Sequence, residues 1–183
     1  MKNNVKTLVM MAVFVCLMSV AAYIKIPTPL VPITFQLFVA VASGLFLGPV
    51  YGPISMAVYM VAGLAGLPVF ASGGGIIYFI SPSFGFIIGF VLSSYISGVL
   101  WADTWPRRIL AIILSVLSGY VIGIPYFWLI MNAKKPQEFG AAVLVMLPFL
   151  AKDIVLGGVL FGFAQTMSKI APELMWRNRK SLT

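Results

Sequence analysis

Two charged side chains, Lys152 and Asp153, stand side by side inside a long apolar segment. They are the only charged residues between Phe139 and Ser168. A charge at the centre of a bilayer costs about 2.5–3.5 kcal/mol on the insertion scale, so such residues normally face the interior of a helix bundle and mark a ligand site or an ion pathway. We therefore expect the function of this chain to centre on this pair.

The pair offers one hydrogen-bond acceptor group and one cation. A carboxylate only accepts hydrogen bonds and suits the paired N–H donors of a urea or an amide, whereas an ammonium suits a carboxylate. Adjacent helical residues point about 100° apart, so we expect Lys152 and Asp153 to bind different parts of one ligand rather than to face each other. A structural ion pair and a proton relay are the alternatives.

Three consecutive glycines, Gly73, Gly74 and Gly75, interrupt the apolar sequence after Pro68. Glycine leaves the backbone uncovered and free to adopt a positive φ, so backbone N–H and C=O groups can approach a ligand here. No Gly-Lys-Ser/Thr follows, which excludes a phosphate-binding loop. The run is therefore either a flexible external turn or a ligand-facing loop.

Further polar and aromatic side chains lie near the ends of apolar segments. Thr34 and Gln36 open the second segment, where polar side chains commonly hydrogen-bond from helix to helix. Tyr78 and Tyr126 lie where aromatic residues gather at a membrane interface, and they can also line an apolar pocket. These residues are candidates for a binding site, with helix packing and interfacial anchoring as the alternatives.

Ala12 and Cys16, one helical turn apart, give the first segment a face of small residues. Small residues at positions i and i+4 let two membrane helices approach closely. This face either packs within the bundle or docks a helix of a partner protein.

Composition identifies an integral membrane protein. The mean hydropathy is +1.07, 61% of residues are hydrophobic and 9% are charged, against about 25% charged residues in soluble domains. No charged residue occurs between Lys25 and Asp103, so we expect one integral membrane domain over residues 1–183. The chain has no histidine and one cysteine, Cys16, which excludes histidine-dependent catalysis, an intrachain disulfide and a Cys or His metal cluster.

Six hydrophobic segments predict an all-α bundle: Val5–Ile24, Thr34–Leu47, Pro53–Leu67, Pro82–Trp101, Ile109–Met131 and Phe139–Ser168. The second and third are short and bounded by Gly and Pro, so we expect short, tilted or broken helices buried against the others. We interpret the first segment as a retained helix rather than a cleavable signal peptide, because it is long enough to span and no A-x-A site follows.

Basic residues are distributed unevenly between the two ends of these segments. With the N terminus in the cytoplasm, eight basic residues lie inside and three lie outside, as the positive-inside rule requires. Both termini are then cytoplasmic, and the net charge of +8 reflects orientation and contact with anionic lipid rather than nucleic acid. Asp153 then lies roughly 24 Å from the cytoplasmic end of its helix, in the outer half of the membrane. The glycine run and Tyr126 are predicted on the same outer side.

Six motifs occur in a fixed order: VPITFQ (31–36), GLFLGP (44–49), YMVAGLAGLPVFA (59–71), PSFGFIIGF (82–90), GIPY (123–126) and LPFLAKDI (147–154). With these motifs the chain resembles BioY, the family of biotin-specific substrate-binding subunits of energy-coupling factor (ECF) transporters. The resemblance covers most of residues 5–168.

The resemblance implies six transmembrane helices with both termini cytoplasmic, and capture of biotin from outside a bacterial or archaeal cell for uptake across its membrane. It implies neither catalysis nor a cofactor in this chain. The implied partners are membrane lipid, an ECF membrane coupling subunit and two ATPase subunits. Under this resemblance, the face formed by Ala12 and Cys16 would dock the coupling subunit.

The resemblance also implies roles at the site. Asp153 would accept hydrogen bonds from the ureido N–H groups of biotin, and either Lys152 or the N–H groups of Gly73, Gly74 and Gly75 would meet its carboxylate. The remaining candidates for enclosing the ligand are Gln36, Tyr78 and Tyr126.

Three features depart from the family pattern. After the glycine run many members read Gly-Pro-Thr/Ser-Gly-Gly, whereas this chain reads SPSFG (81–85). The arginine that some members carry after the glycine run corresponds to about Ile87, and the lysine that many place three residues after the aspartate corresponds to Leu156. Positions 152 and 156 share a helix face, so Lys152 can replace the missing lysine one turn away.

Three alternatives remain: a substrate-binding subunit for another vitamin, a small intramembrane enzyme, and a structural or channel-like membrane protein in which the charged pair is purely structural. The absence of histidine and the solitary intramembrane carboxylate argue against the enzyme. Binding of a small ligand separates the other two.

Overall fold

Five α-helices joined by short connections make up the fold, and the computed structural model describes residues 2–28, 30–102, 104–134, 136 and 138–175. A pair of two-residue antiparallel strands, β1 (Lys25–Ile26) and β2 (Ile33–Thr34), precedes the second helix. A 3₁₀ turn (Ile76–Ile80) precedes the third helix, and another (Pro172–Leu174) follows the fifth. The helices are α1 (Lys2–Tyr23), α2 (Gln36–Leu64), α3 (Phe84–Leu100), α4 (Trp105–Lys134) and α5 (Phe139–Ile170).

α2 is broken at Gly48, and its two arms fold back on each other. Gly48 has φ 83° and ψ −177°, a conformation that is essentially restricted to glycine. The Gln36 side chain contacts the Tyr59 hydroxyl at 2.7 Å, and a Cβ atom on Gly52 would lie 2.9 Å from the Cα atom of Gly44. Both pairs are centred on Gly48, so residues 36–47 and 49–64 form two short antiparallel arms.

This hairpin accounts for two of the six predicted segments, so the structure has five helices where the sequence predicts six segments. The two short segments expected at Thr34–Leu47 and Pro53–Leu67 are the arms of one broken element, and the second arm begins at Pro49 rather than at Pro53. Proline fits the first turn of a helix because the N–H group that it lacks would have no helical partner there.

Among the described residues, four helices are long and apolar enough to cross a membrane: α1, α2, α4 and α5. α2 reaches this length only as the sum of its arms, each roughly 18–24 Å long. The fifth, α3, is an apolar helix of 17 residues. Of the basic residues used to predict the orientation, Lys135, Arg177, Arg179 and Lys180 lie outside the described residues.

α3 packs against the α2 hairpin with almost no space between the backbones. A Cβ atom on Gly44 would lie 2.0 Å from the Ser94 carbonyl oxygen, and one on Gly98 would lie 2.6 Å from the carbonyl carbon of Gly48. The hydroxyl groups of Ser43 and Ser94 share a hydrogen bond of 2.7 Å across the same contact. Close backbone approach and interhelical hydrogen bonds hold membrane helices together, so α2 and α3 form the centre of the bundle.

α1 packs on this centre by one face and leaves the other exposed. Phe14, Met18 and Ala22 are buried in the bundle. Ala12 and Cys16 lie on the exposed face. Of the two interpretations of this small-residue face, packing within the chain is therefore wrong, and docking of a partner stays a prediction.

Candidate functional site

α4 and α5 bring Tyr120, Lys152 and Asp153 together. The Tyr120 hydroxyl donates to Asp153 Oδ2 at 2.5 Å. Lys152 Nζ lies 2.7 Å from Asp153 Oδ1 and donates to the backbone carbonyl oxygen of Thr34 at 2.5 Å. The expectation that Lys152 and Asp153 do not face each other is wrong, because the long lysine side chain bends back over the carboxylate. Lys152 thus links α5 to β2, and Asp153 links α5 to α4.

One oxygen of this carboxylate is left without a hydrogen bond. Asp153 is 5% exposed, and its Oδ1 atom accepts no hydrogen bond from the residues that the structure describes. Lys152 Nζ is close enough to form an ion pair with Oδ1 but does not meet hydrogen-bond geometry. The ion pair with Lys152 compensates part of the charge on Oδ1, and a ligand N–H group that donates to Oδ1 adds a hydrogen bond to a charged acceptor, worth about 1.5–3 kcal/mol.

The charged pair opens into a cleft of about 540 Å³, its open mouth included. Most of its wall is aliphatic or aromatic with a few polar groups, which is the usual composition of a small-molecule site. The wall consists of Val31, Pro32, Thr34, Gln36, Leu37, Ala71, Tyr78, Ser83, Phe86, Ile87, Phe90, Tyr120, Phe149, Lys152 and Asp153. Five candidate residues named from the sequence therefore share one cleft: Thr34, Gln36, Tyr78, Lys152 and Asp153.

The polar side chains on the α2 side of the cleft are held by other protein groups. Gln36 donates to the Tyr59 hydroxyl at 2.7 Å and accepts from the Thr34 hydroxyl at 3.1 Å. Tyr59 in turn donates to the backbone carbonyl oxygen of Val69 at 2.9 Å. Gln36 thereby joins both arms of α2 to the loop that follows and fixes this side of the wall.

Tyr78 supplies a hydroxyl group from the 3₁₀ turn. Ser83 donates to the Tyr78 hydroxyl oxygen at 3.2 Å, so the Tyr78 hydroxyl proton can be donated to another acceptor. Both residues line the cleft. Tyr78 is therefore a hydroxyl donor that lies on a different element from the charged pair.

The glycine run lies off the cleft wall. The Gly73 N–H group donates to the Phe70 carbonyl oxygen at 3.2 Å, and the Gly75 N–H group donates to the Gly63 carbonyl oxygen at 2.7 Å. Gly73 and Gly75 have φ values of 114° and 99°, which favour glycine. A Cβ atom on Gly74 would lie 2.1 Å from a backbone oxygen. The run therefore serves the packing of its own loop.

Tyr126 also lies off the wall. Its hydroxyl donates to the backbone carbonyl oxygen of Phe79, and its side chain covers Gly85, where an added Cβ atom would lie 2.3 Å from Tyr126 Cβ. Tyr126 therefore ties α4 to the 3₁₀ turn and to the start of α3, beside the cleft rather than within it.

Four aromatic wall residues, Tyr120, Phe86, Phe90 and Phe149, were not predicted from the sequence. Tyr120 carried one signal, because it is a hydroxyl-bearing aromatic residue in the middle of a span, away from the interfaces where tyrosine usually gathers. Its ring meets that of Phe86 edge-on at 5.6 Å. Ile87 also lines the cleft.

Comparison with known proteins identifies the family. The pattern that defines the BioY family matches residues 1–173. The chain belongs to the BioY family. A probable biotin transporter BioY from Lysinibacillus sphaericus is 41% identical over 135 residues, which are 72% of this chain and 69% of the relative. A second BioY relative, from Pyrococcus horikoshii and also described as a probable biotin transporter, is 36% identical over 151 residues, 82% of this chain and 88% of the relative.

Solved structures share the fold of this BioY family member. The S-component for biotin from an ECF-type ABC transporter superposes with a TM-score of 0.78 at 22% identity, covering 92% of this chain and 93% of that chain. FolT bound with folic acid superposes with a TM-score of 0.61 at 21% identity, covering 90% and 93%. This BioY chain is thus a multi-pass membrane protein with the S-component fold.

Proposed function

We propose that this chain captures biotin from outside a bacterial or archaeal cell and serves as the substrate-binding subunit for its uptake. The observation that carries the proposal is Asp153 Oδ1, a buried acceptor without a hydrogen bond beside an apolar cleft. The proposal is supported by membership of a family whose named relatives are biotin transporters.

The charged pair suits the ureido ring of biotin, which carries two N–H donors on either side of one carbonyl oxygen. Asp153 Oδ1 accepts from one N–H group. Lys152 has three donor hydrogens, one of which is used by Thr34, and it donates to the ureido oxygen. Nζ and Oδ1 lie 2.7 Å apart. The pair therefore places a donor beside an acceptor, which matches the carbonyl oxygen and the neighbouring N–H group along one edge of the ureido ring.

We assign the biotin carboxylate to the Tyr78 hydroxyl. Tyr78 lines the cleft and accepts from Ser83, so Tyr78 keeps its own proton to donate. The N–H groups of Gly73 and Gly75 already donate to backbone carbonyl oxygens, and Lys152 is engaged at the ureido end. The apolar side chains between these polar groups enclose the ring and the aliphatic tail.

We further propose six membrane crossings with both termini cytoplasmic, counting the two arms of α2 separately. The unequal distribution of basic residues supports this orientation. An ECF coupling subunit docks on Ala12 and Cys16, which are exposed on α1. Two ATPase subunits bound to that partner supply the energy, and this chain performs no catalysis.

Thermal unfolding of the purified chain with a panel of vitamins tests the proposed ligand. Biotin at one hundred times its dissociation constant adds about 2.7 kcal/mol to the stability, and we expect a raised Tm with biotin alone. Folate belongs in the panel because FolT shares the fold. Stabilisation by another vitamin would identify a subunit for that vitamin, and no stabilisation by any of them would favour a structural or channel-like role.

A further inference from the structure

Gln36 lines the cleft, and its side chain has hydrogen-bonding capacity that the protein does not use. The residue is buried, with 5% of its surface exposed. An amide carries two N–H donors and an oxygen with two lone pairs. In the part of the chain that the structure describes, Gln36 uses one N–H group toward the Tyr59 hydroxyl and one oxygen lone pair toward the Thr34 hydroxyl. One donor and one lone pair of Gln36 therefore remain for a ligand.

The hydrogen bonds behind Gln36 determine which way its amide is turned. The Tyr59 hydroxyl has one proton and donates it to the Val69 carbonyl oxygen at 2.9 Å. Tyr59 must therefore accept from Gln36, which places the amide nitrogen Nε2 on the Tyr59 side at 2.7 Å. The amide oxygen Oε1 then lies toward Thr34, at 3.1 Å from its hydroxyl. A backbone carbonyl group outside the cleft wall thus fixes the position of the Gln36 acceptor.

Thr34 connects this acceptor to the charged pair. Its backbone carbonyl oxygen accepts from Lys152 Nζ at 2.5 Å, and its hydroxyl donates to Gln36 Oε1. The other neighbour of Nζ is Asp153 Oδ1, at 2.7 Å. Along the wall, an acceptor on Asp153, a donor on Lys152 and a second acceptor on Gln36 therefore follow one another.

A cyclic urea presents the complementary pattern, because its carbonyl oxygen lies between two N–H groups that point away from each other. With the oxygen at Lys152 and one N–H group at Asp153, the second N–H group points away from Asp153. The Tyr120 hydroxyl is bonded to Asp153 itself and lies on the wrong side. On the Thr34 side, the carbonyl oxygen of Thr34 already accepts from Lys152, which leaves Gln36 Oε1 as the acceptor.

We propose that Gln36 Oε1 accepts a hydrogen bond from the second ureido N–H group of biotin and makes the site specific for a ligand that carries both N–H groups. This inference rests on the proposed capture of biotin. Its consequence is selection of a cyclic urea over a lactam, in which a methylene group replaces one N–H group. A lactam forms one hydrogen bond fewer with the wall, so it binds more weakly.

Two lactam analogues of biotin, each lacking a different ureido N–H group, test the proposal by isothermal titration calorimetry. In the parent chain we expect each to bind at least about fivefold more weakly than biotin. Gln36→Met removes the acceptor, so one lactam should then bind as tightly as biotin. The other lactam, whose missing N–H group faces Asp153, should keep its disadvantage. Gln36→Glu retains an acceptor oxygen and should retain both differences.

Gln165→Met is the matched control. It makes the same substitution on α5, about 18 Å along the helix from Asp153, where Gln165 accepts from Arg108. This variant should leave the biotin affinity and both ratios unchanged, and thermal unfolding without ligand confirms that every variant folds.

Two outcomes would overturn the role of Gln36 while biotin capture stands. One is an equal loss of affinity for biotin and both lactams in Gln36→Met, which would make the residue purely structural. The other needs no variant: a lactam that binds the parent chain as tightly as biotin would show that one N–H group has no acceptor. Absence of biotin binding to the parent chain would instead overturn the proposed function, and this inference with it.

Discussion

The Tyr120 hydroxyl and Asp153 Oδ2 are joined by a hydrogen bond of 2.5 Å between α4 and α5. This bond fixes the rotation of the carboxylate, so that Oδ1 remains beside Lys152 and without a hydrogen bond of its own. Hydrogen bonds to a charged group contribute about 1.5–3 kcal/mol. Two neighbouring helices thus cooperate to present a single acceptor atom.

Tyr120→Phe should weaken biotin binding about tenfold, or roughly 1.4 kcal/mol, because it removes the hydroxyl that orients Asp153 and keeps the ring. Tyr126→Phe is the matched control on the same helix, since its hydroxyl bonds the Phe79 carbonyl oxygen away from the cleft. We expect that variant to bind nearly as well as the parent chain. Isothermal titration calorimetry measures both, and equal losses would contradict a positioning role for Tyr120.

Asp153→Asn should cost roughly 2–5 kcal/mol of biotin binding, or roughly thirtyfold to several thousandfold in affinity. The substitution replaces one acceptor oxygen by an N–H₂ donor and leaves Lys152 without its counter-ion. Thermal unfolding without ligand separates lost stability from lost binding. A folded variant whose affinity stays within about threefold of the parent would sink the assignment of Asp153 to the ureido group.

Lys152→Met should weaken biotin and its neutral amide equally, because the two ligands share the ureido ring on which we place Lys152. Comparing the two ligands isolates the carboxylate from general damage to the site. If biotin instead lost about 1 kcal/mol more than the amide, the carboxylate would sit on Lys152, which is one of the two positions that the sequence leaves open.

Tyr78→Phe should show the opposite pattern. Loss of a donor to a carboxylate costs about 1 kcal/mol more than loss of a donor to a neutral carbonyl group. Biotin should therefore lose roughly fivefold more affinity than its amide. Equal losses in competition binding assays would remove Tyr78 from the carboxylate site.

Ala12→Trp should abolish assembly with the ECF coupling subunit and leave biotin binding by the isolated chain intact. The added ring prevents close approach of a partner helix to this face. Val13→Trp is the matched control, because Val13 is exposed on α1 but points about 100° away from Ala12. Co-purification with the transporter subunits measures assembly, and normal assembly of Ala12→Trp would show that the face contacts only lipid.

The positions of the long helices could be predicted from the sequence, because a long apolar run determines a membrane span almost alone. α5 begins at Phe139, as predicted, and extends to Ile170 rather than Ser168. The reversal at Gly48 was not predicted, because glycine permits a positive φ without requiring it. The reversal depends instead on contacts between distant residues, such as the hydrogen bond between Gln36 and Tyr59.

The sequence predicts those residues of the candidate site that are charged within an otherwise apolar segment. Lys152 and Asp153 stand out because charge is costly in a membrane. Tyr120 does not stand out, because its role depends on the face of α4 on which it lies. The packing of the neighbouring helices determines which face of α4 lines the cleft. The glycine run stays a prediction as a ligand site, although the N–H groups of Gly73 and Gly75 already donate to the carbonyl oxygens of Phe70 and Gly63.

The reversal at Gly48 constrains how the nascent chain enters the membrane. Neither arm of α2 has the roughly 20 residues that an independently inserting segment needs, and an arm inserted alone would expose its unpaired helix-end groups to hydrocarbon. The two arms must therefore partition from the translocon together. Integration of α2 waits until the chain has been synthesised through Leu64, so this central element enters the bilayer as one unit.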